Sequence, residues 1–82
     1  MYFVYILQSE STGRYYVGQT KNLLERVSYH NANYSKSLKH RGPWQIVHRE
    51  EYLTRAEAMR RERHIKSWKD RALIQKLVNA SR

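Results

Sequence analysis

Two short aromatic runs on either side of a polar, glycine-containing break constrain this chain more than any other feature. The first run is Tyr2 to Leu7, six apolar or aromatic residues in a row. Gln8 to Gly13 is the break, and Tyr15-Tyr16-Val17-Gly18 is the second run. Runs of this kind bounded by such a loop pair as a β-hairpin. With Leu7 set opposite Arg14, Tyr5 faces Tyr16, because direct cross-strand partners share a face. A slip of one residue would send the two phenols to opposite sides. The segment that follows, Asn22 to about Asn31 or Ala32, reads as a helix. Asn22 and Glu25 form a variant capping box, and Thr20 is the other candidate cap. Arg26 and His30 lie four apart, one above the other on that helix, and flank Leu23 and Val27. Two phenols, a guanidinium and an imidazole therefore converge on one place.

Further along, Trp44 to Glu51 reads as a third strand, punctuated by Gly42-Pro43 at its start. Thr54-x-x-Glu57 is a capping box that opens a second helix to about Ser67. Asp70 caps a third helix with an apolar stripe of Leu73, Ile74, Leu77 and Val78. The order β-β-α-β-α-α predicts an α+β fold: a small three-stranded, mostly antiparallel sheet flanked by three helices. No repeat or internal boundary interrupts residues 1–82, so one domain is expected. A core this small leaves few residues to spare from packing.

Glu62 stands apart in the second helix. It falls four residues after Ala58 and three before Ile65, on the inward stripe that those two define. A carboxylate there is costly unless it is paired, hydrogen-bonded or bound to a metal. An ion pair to Lys66, one turn on, is the structural alternative.

Sixteen Lys and Arg against seven Asp and Glu give a net charge of +9. A small domain this basic suits a polyanionic partner. The region from Arg55 to Lys76 carries eight basic and three acidic residues. With Lys36, Lys39 and Arg41 of the aperiodic 33–43 segment, the cations Arg60, Arg63 and Lys66 are the candidate phosphate contacts. His40, His48 and His64 have no metal-ligand spacing and read as surface or nucleic-acid-contacting residues. The absence of cysteine excludes disulfides, thiolate zinc sites and a Cys nucleophile, and it suits a reducing compartment. No signal peptide or bilayer-length segment is visible. The expectation is a cytoplasmic protein without membrane association or an evident obligate protein partner.

The ordered set Val4-Tyr5-Ile6, Tyr16-Val17-Gly18, Arg26 and His30 on a helix, and Glu62 within ERHIK resembles the GIY-YIG nuclease family. The similarity runs from Tyr2 to about Val78. It is nearest in kind to the small single-domain branch related to the nuclease domain of the bacterial excision-repair protein UvrC. Here the first motif reads Val-Tyr-Ile, without its Gly and final Tyr, and the second has Val for Ile. The resemblance implies a metal-dependent DNA endonuclease of repair or recombination, with RNA as the less expected substrate. In that reading Tyr5, Tyr16, Arg26, His30 and Glu62 are catalytic. Tyr5 is the candidate general base, Tyr16 orients water or phosphate, and His30 takes or relays a proton. Arg26 stabilises the phosphate, and Glu62 holds one Mg²⁺ or Mn²⁺. Asn79 does not align with the family's C-terminal Asn and is left out of the site. The alternatives are a non-catalytic nucleic-acid-binding module on the same fold, and a small domain whose basic surface meets an acidic protein.

Overall fold

The first aromatic run becomes β1, Tyr2–Ser9, the middle strand of the sheet. β2 (Tyr15–Thr20) and β3 (Trp44–Tyr52) pair on its two sides, both antiparallel, in the order β2-β1-β3. The computed structural model describes residues 1–31 and 43–81, without the side chains of Tyr29 and His30. Three helices complete the fold: α1 (Leu23–Asn31), α2 (Arg55–Lys66) and α3 (Arg71–Ala80). The fold class is the one that the order of elements predicts.

Central placement explains why β1 is apolar without alternation. Val4, Tyr5, Ile6 and Leu7 are all buried, because both faces of the strand are covered. Val4 and Ile6 pack with Val17 against Ala58 and Ile65 of α2 and Val78 of α3. Tyr5 and Leu7 pack on the opposite face with Leu23, Trp44 and the partly covered Val27 and Tyr16. The sheet is thus sandwiched, with α1 on one side and α2 and α3 on the other. Of the stripe expected on α3, Ile74, Leu77 and Val78 pack inward, while Leu73 stays exposed.

Local side chains fix the ends of the elements. Asn22 Oδ1 accepts the Glu25 N–H (3.1 Å), Thr54 Oγ1 accepts the Glu57 N–H (3.2 Å), and Asp70 Oδ1 accepts the Ala72 N–H (2.9 Å). Each satisfies an amide that has no partner within its helix. At the far end of α1, Asn31 clamps the start of β3. Its Nδ2 donates to the Trp44 carbonyl (3.1 Å) and its Oδ1 accepts the Trp44 N–H (2.7 Å).

The hairpin register differs from the expected one by two residues. Leu7 pairs with Tyr16, and Tyr5 pairs with Gly18. The turn sets this. Ser9 donates its N–H to Arg14 O, and its buried hydroxyl accepts from the N–H groups of Ser11 and Thr12. Gly13 closes the turn at φ 74°, a conformation that residues with a Cβ rarely adopt. An even slip keeps every side chain on its face, so Tyr5 and Tyr16 still share one, now as diagonal neighbours.

β3 contains a one-residue irregularity. Ile6 pairs with His48 but Leu7 pairs with Ile46, which leaves Val47 as the extra residue. Such a bulge reverses the phase of alternation beyond it. His48, Glu50 and Tyr52 consequently lie on the α2/α3 face, opposite to Trp44. There the Glu50 carboxylate takes two bonds from Arg61 (Nε 2.9 Å, Nη2 3.1 Å) and one each from Tyr52 (2.5 Å) and His48 (2.8 Å). The other ring nitrogen of His48 bonds the Ser81 hydroxyl at the end of α3. His48 is therefore a largely covered link between sheet and helix, not the open surface residue expected from its spacing. Its side chain is only 9% exposed.

Candidate active site

Tyr5 projects from the middle of the central strand and is 2% exposed. Gly18 faces it across the hairpin. A Cβ at Gly18 would stand 2.5 Å from the Tyr5 hydroxyl oxygen and 2.7 Å from Cζ, so the phenol occupies space that only glycine leaves open. Tyr16, from edge strand β2, is its diagonal neighbour, with ring centroids 6.3 Å apart and planes tilted by 39°.

Two further elements bring charge to this pair. Arg26, in α1, has an exposed side chain whose guanidinium acts on both phenols. Glu62, in α2, is close enough for its carboxylate to act on both as well. Burial is the dominant influence on Tyr5 and raises its pKa far above the ordinary phenol value; Tyr16 and Glu62 add to the rise, and Arg26 opposes it. Tyr16 is shifted upward too, by burial first and then by Glu62, again against Arg26. Both phenols are neutral at physiological pH. The guanidinium that the sequence places beside them works in the expected direction, but desolvation outweighs it.

Glu62 is not aimed at bulk solvent. Its side chain is 20% exposed and lies 3.7 Å from the Lys66 ammonium, the i,i+4 pair that its spacing allows. The same ammonium lies 5.9 Å from the centre of the Tyr16 ring. The Lys66 ammonium is thus near both the carboxylate and the Tyr16 ring. Among the described residues, no three His, Asp or Glu side chains gather to form a protein-only metal cage. A lone carboxylate suits Mg²⁺, which keeps several waters and is completed by substrate phosphate oxygens. The donor set therefore fits one divalent ion at Glu62.

The other residues expected at the site divide into two groups. Arg60 and Arg63 are exposed on α2, and Lys66 lies beside Tyr16. The side chain of His30, and Lys36, Lys39, Arg41 and His40 in full, lie outside the described residues. His64 is exposed and packs edge-on against Trp68, with ring centroids 5.5 Å apart. Sequence reasoning missed the role of Gly18 as the seat of the Tyr5 ring. Its position opposite an aromatic strand residue was the available signal.

Four elements, β1, β2, α1 and α2, contribute one polar group each to a single locus. That arrangement offers a guanidinium to an anion and a carboxylate to a cation, with two phenols under the influence of both. Comparison with known proteins agrees with the fold. The family model described as the GIY-YIG catalytic domain matches residues 1–77. A UPF0213 protein of Halobacterium salinarum is 40% identical over 67 residues, covering 80% of this chain and 86% of that protein. A UPF0213 protein of Staphylococcus aureus is 40% identical over 68 residues, covering 82% of each. Among solved structures, the solution NMR structure of a UPF0213 protein from Bacillus halodurans superposes with a TM-score of 0.60 at 29% identity, covering 99% of this chain and 87% of that one. Sequence, fold and the match over 1–77 together make this chain a member of the GIY-YIG catalytic-domain family.

Proposed function

We propose that this chain is a metal-dependent DNA endonuclease that hydrolyses a phosphodiester bond within one catalytic domain. The observation that carries the reading is the packing of Tyr5 and Tyr16 on one face of the hairpin, rings 6.3 Å apart, with Lys66, the ion-pair partner of Glu62, 5.9 Å from the Tyr16 ring. Arg26 binds the scissile phosphate through its fork of donors and stabilises the charge that builds on the phosphoryl oxygens. Glu62 holds one divalent cation, Mg²⁺ or Mn²⁺, which supplies further positive charge to those oxygens when bound. Were that site filled, Lys66 would be released from Glu62 and its ammonium would be available to a flanking phosphate. Tyr5 begins as a neutral hydroxyl that orients the attacking water. To act as base it first releases its own proton to solvent, and the resulting phenolate takes the proton of the attacking water; a cation held at Glu62 would favour that phenolate by offsetting one of the influences that hold its pKa high. Tyr16 orients water or phosphate, and His30 relays the proton in the manner that the family resemblance implies.

The existing Glu62–Lys66 pair favours a second reading, a nucleic-acid-binding module in which Lys66 permanently neutralises the carboxylate. A cleavage panel separates the two. Linear, supercoiled, flapped and branched DNA, with single-stranded RNA alongside, is incubated with Mg²⁺ or Mn²⁺ and with the parent or Glu62→Ala. The endonuclease reading expects DNA products from the parent that are lost in the variant. Salt-sensitive binding with no products under any condition would support the binding module.

A further inference from the structure

Arg26 faces two places at once. Its charge reaches the phenols, and its side chain also lines an open groove of about 550 Å³ at the end of the sheet where β1 begins and β2 finishes. Lys21, from the β2–α1 connection, and Arg55, the first residue of α2, line the same groove, as do Tyr2 and Gln19. The three cations face a single carboxylate there, Glu25. Lys21 and Arg55 are exposed and enter none of the ion pairs found among the described residues.

We infer that Lys21 and Arg55 form a second phosphate subsite, which grips the backbone of the same nucleic-acid strand beside the phosphate held by Arg26. This rests on the endonuclease reading for the position of the first phosphate. Three physical points support it. A groove of this volume falls in the range that encloses a small-molecule-sized fragment, which covers a nucleotide. Its excess of cations selects an anion, and charge of one sign in a concave site attracts the opposite sign more strongly than the same charges on a convex surface. A polynucleotide strand supplies a further negative charge about every 3.4 Å of helix axis, so a strand with one phosphate on Arg26 necessarily presents others to the groove. Tyr2 and Gln19 add an aromatic edge and an amide, which suit sugar and base edges better than a free inorganic ion. The two cations lie 34 positions apart in sequence and on different elements. The subsite therefore exists only in the folded chain; Lys21 lies outside the basic stretches that sequence alone marks, and Arg55 stands at the start of one.

The test reads binding, not cleavage. Fluorescence anisotropy of a labelled DNA duplex is followed against salt concentration, without divalent metal. The proteins are the parent, Lys21→Ala, Arg55→Ala, the double variant, and Lys76→Ala, which removes the same charge from α3 outside the groove. The slope of log K against log salt is expected to shrink by about 0.9 for each groove cation removed and to stay at the parent value for Lys76→Ala. A duplex series carrying one uncharged methylphosphonate at successive positions should show a linkage whose neutralisation weakens the parent several-fold but leaves the Arg55→Ala affinity unchanged. Equal slopes for the groove variants and Lys76→Ala, or no linkage that couples to Arg55, would overturn the subsite. Because no bond need be cut, a protein that proves inactive in the cleavage panel can still confirm or refute it.

Discussion

Gly18 and Tyr5 show how one missing Cβ shapes the site. The ring of Tyr5 lies against the bare backbone of Gly18, where an added methyl would come within 2.5 Å of its hydroxyl oxygen. Tyr5 is itself buried in the core, so moving its ring disturbs the packing around it. Gly18→Ala is expected to lose about 1–3 kcal/mol of stability in urea unfolding, the usual cost of overpacking, and to displace the phenol. A variant as stable as the parent, with an unmoved ring, would contradict that packing. The same burial sets the ionisation of Tyr5. As its pKa is raised, only a small fraction is phenolate near neutrality. A rate that depends on that phenolate climbs with pH by up to tenfold per unit across the neutral range. Tyr5→Phe should abolish both the rate and its climb. If the Phe variant keeps the parent's pH–rate profile, another group is the base.

Elements differ in how openly the sequence displays them. The caps at Asn22, Thr54 and Asp70 were legible because each is a bond between a side chain and an amide two or three residues away. The inward placement of Ala58 and Ile65 was legible from helical spacing alone. Two features were not. The hairpin register depends on where the Ser9 hydroxyl holds the turn, and that choice lies between closures of similar pattern. The β3 bulge at Val47 leaves no periodic trace, yet it decides that His48 and Glu50 meet Arg61 and not the Trp44 face. Its consequence is measurable through Glu50. Burial favours the neutral acid, but the bonds from Arg61, Tyr52 and His48 outweigh it and bring the pKa down to about 2 from 4.5. A carboxyl depressed in the folded state contributes stability that is present in full above its unfolded pKa and is lost as pH falls through its folded pKa. Discounted for the partial exposure of the carboxylate, about 1–2 kcal/mol should therefore disappear between about pH 4.5 and about pH 2. Glu50→Gln should be less stable at neutral pH and should show a much shallower loss over that window. An equally steep loss in the variant would place the acid sensitivity elsewhere. The same network buries Tyr52, whose phenol is pushed up to about 12 by burial and by the adjacent Glu50 carboxylate.

At the scale of the whole molecule, the site is a property of the fold and not of any one segment. β1 and β2 carry the phenols, α1 carries Arg26, and α2 carries Glu62, so every layer of the sandwich supplies part of it. The basic groove lined by Lys21, Arg26 and Arg55 adjoins that locus at Arg26. A net charge of +9 on 82 residues gives the surface a field that draws in polyanions before any specific contact forms. The proposed endonuclease reading therefore expects affinity and chemistry to separate, since it spreads the former over many cations and assigns the latter to four side chains. The most direct measurement is the single-turnover cleavage rate of saturating enzyme on labelled DNA with Mg²⁺, for the parent, Glu62→Gln and Arg26→Ala, with duplex affinity taken on the same preparations. The expected result is a rate at least about 100-fold lower in each variant, the scale of losing one group that stabilises the transition state, with affinity changed by only a few-fold. Parent-like cleavage by either variant would contradict the assignment of these residues to a hydrolytic site.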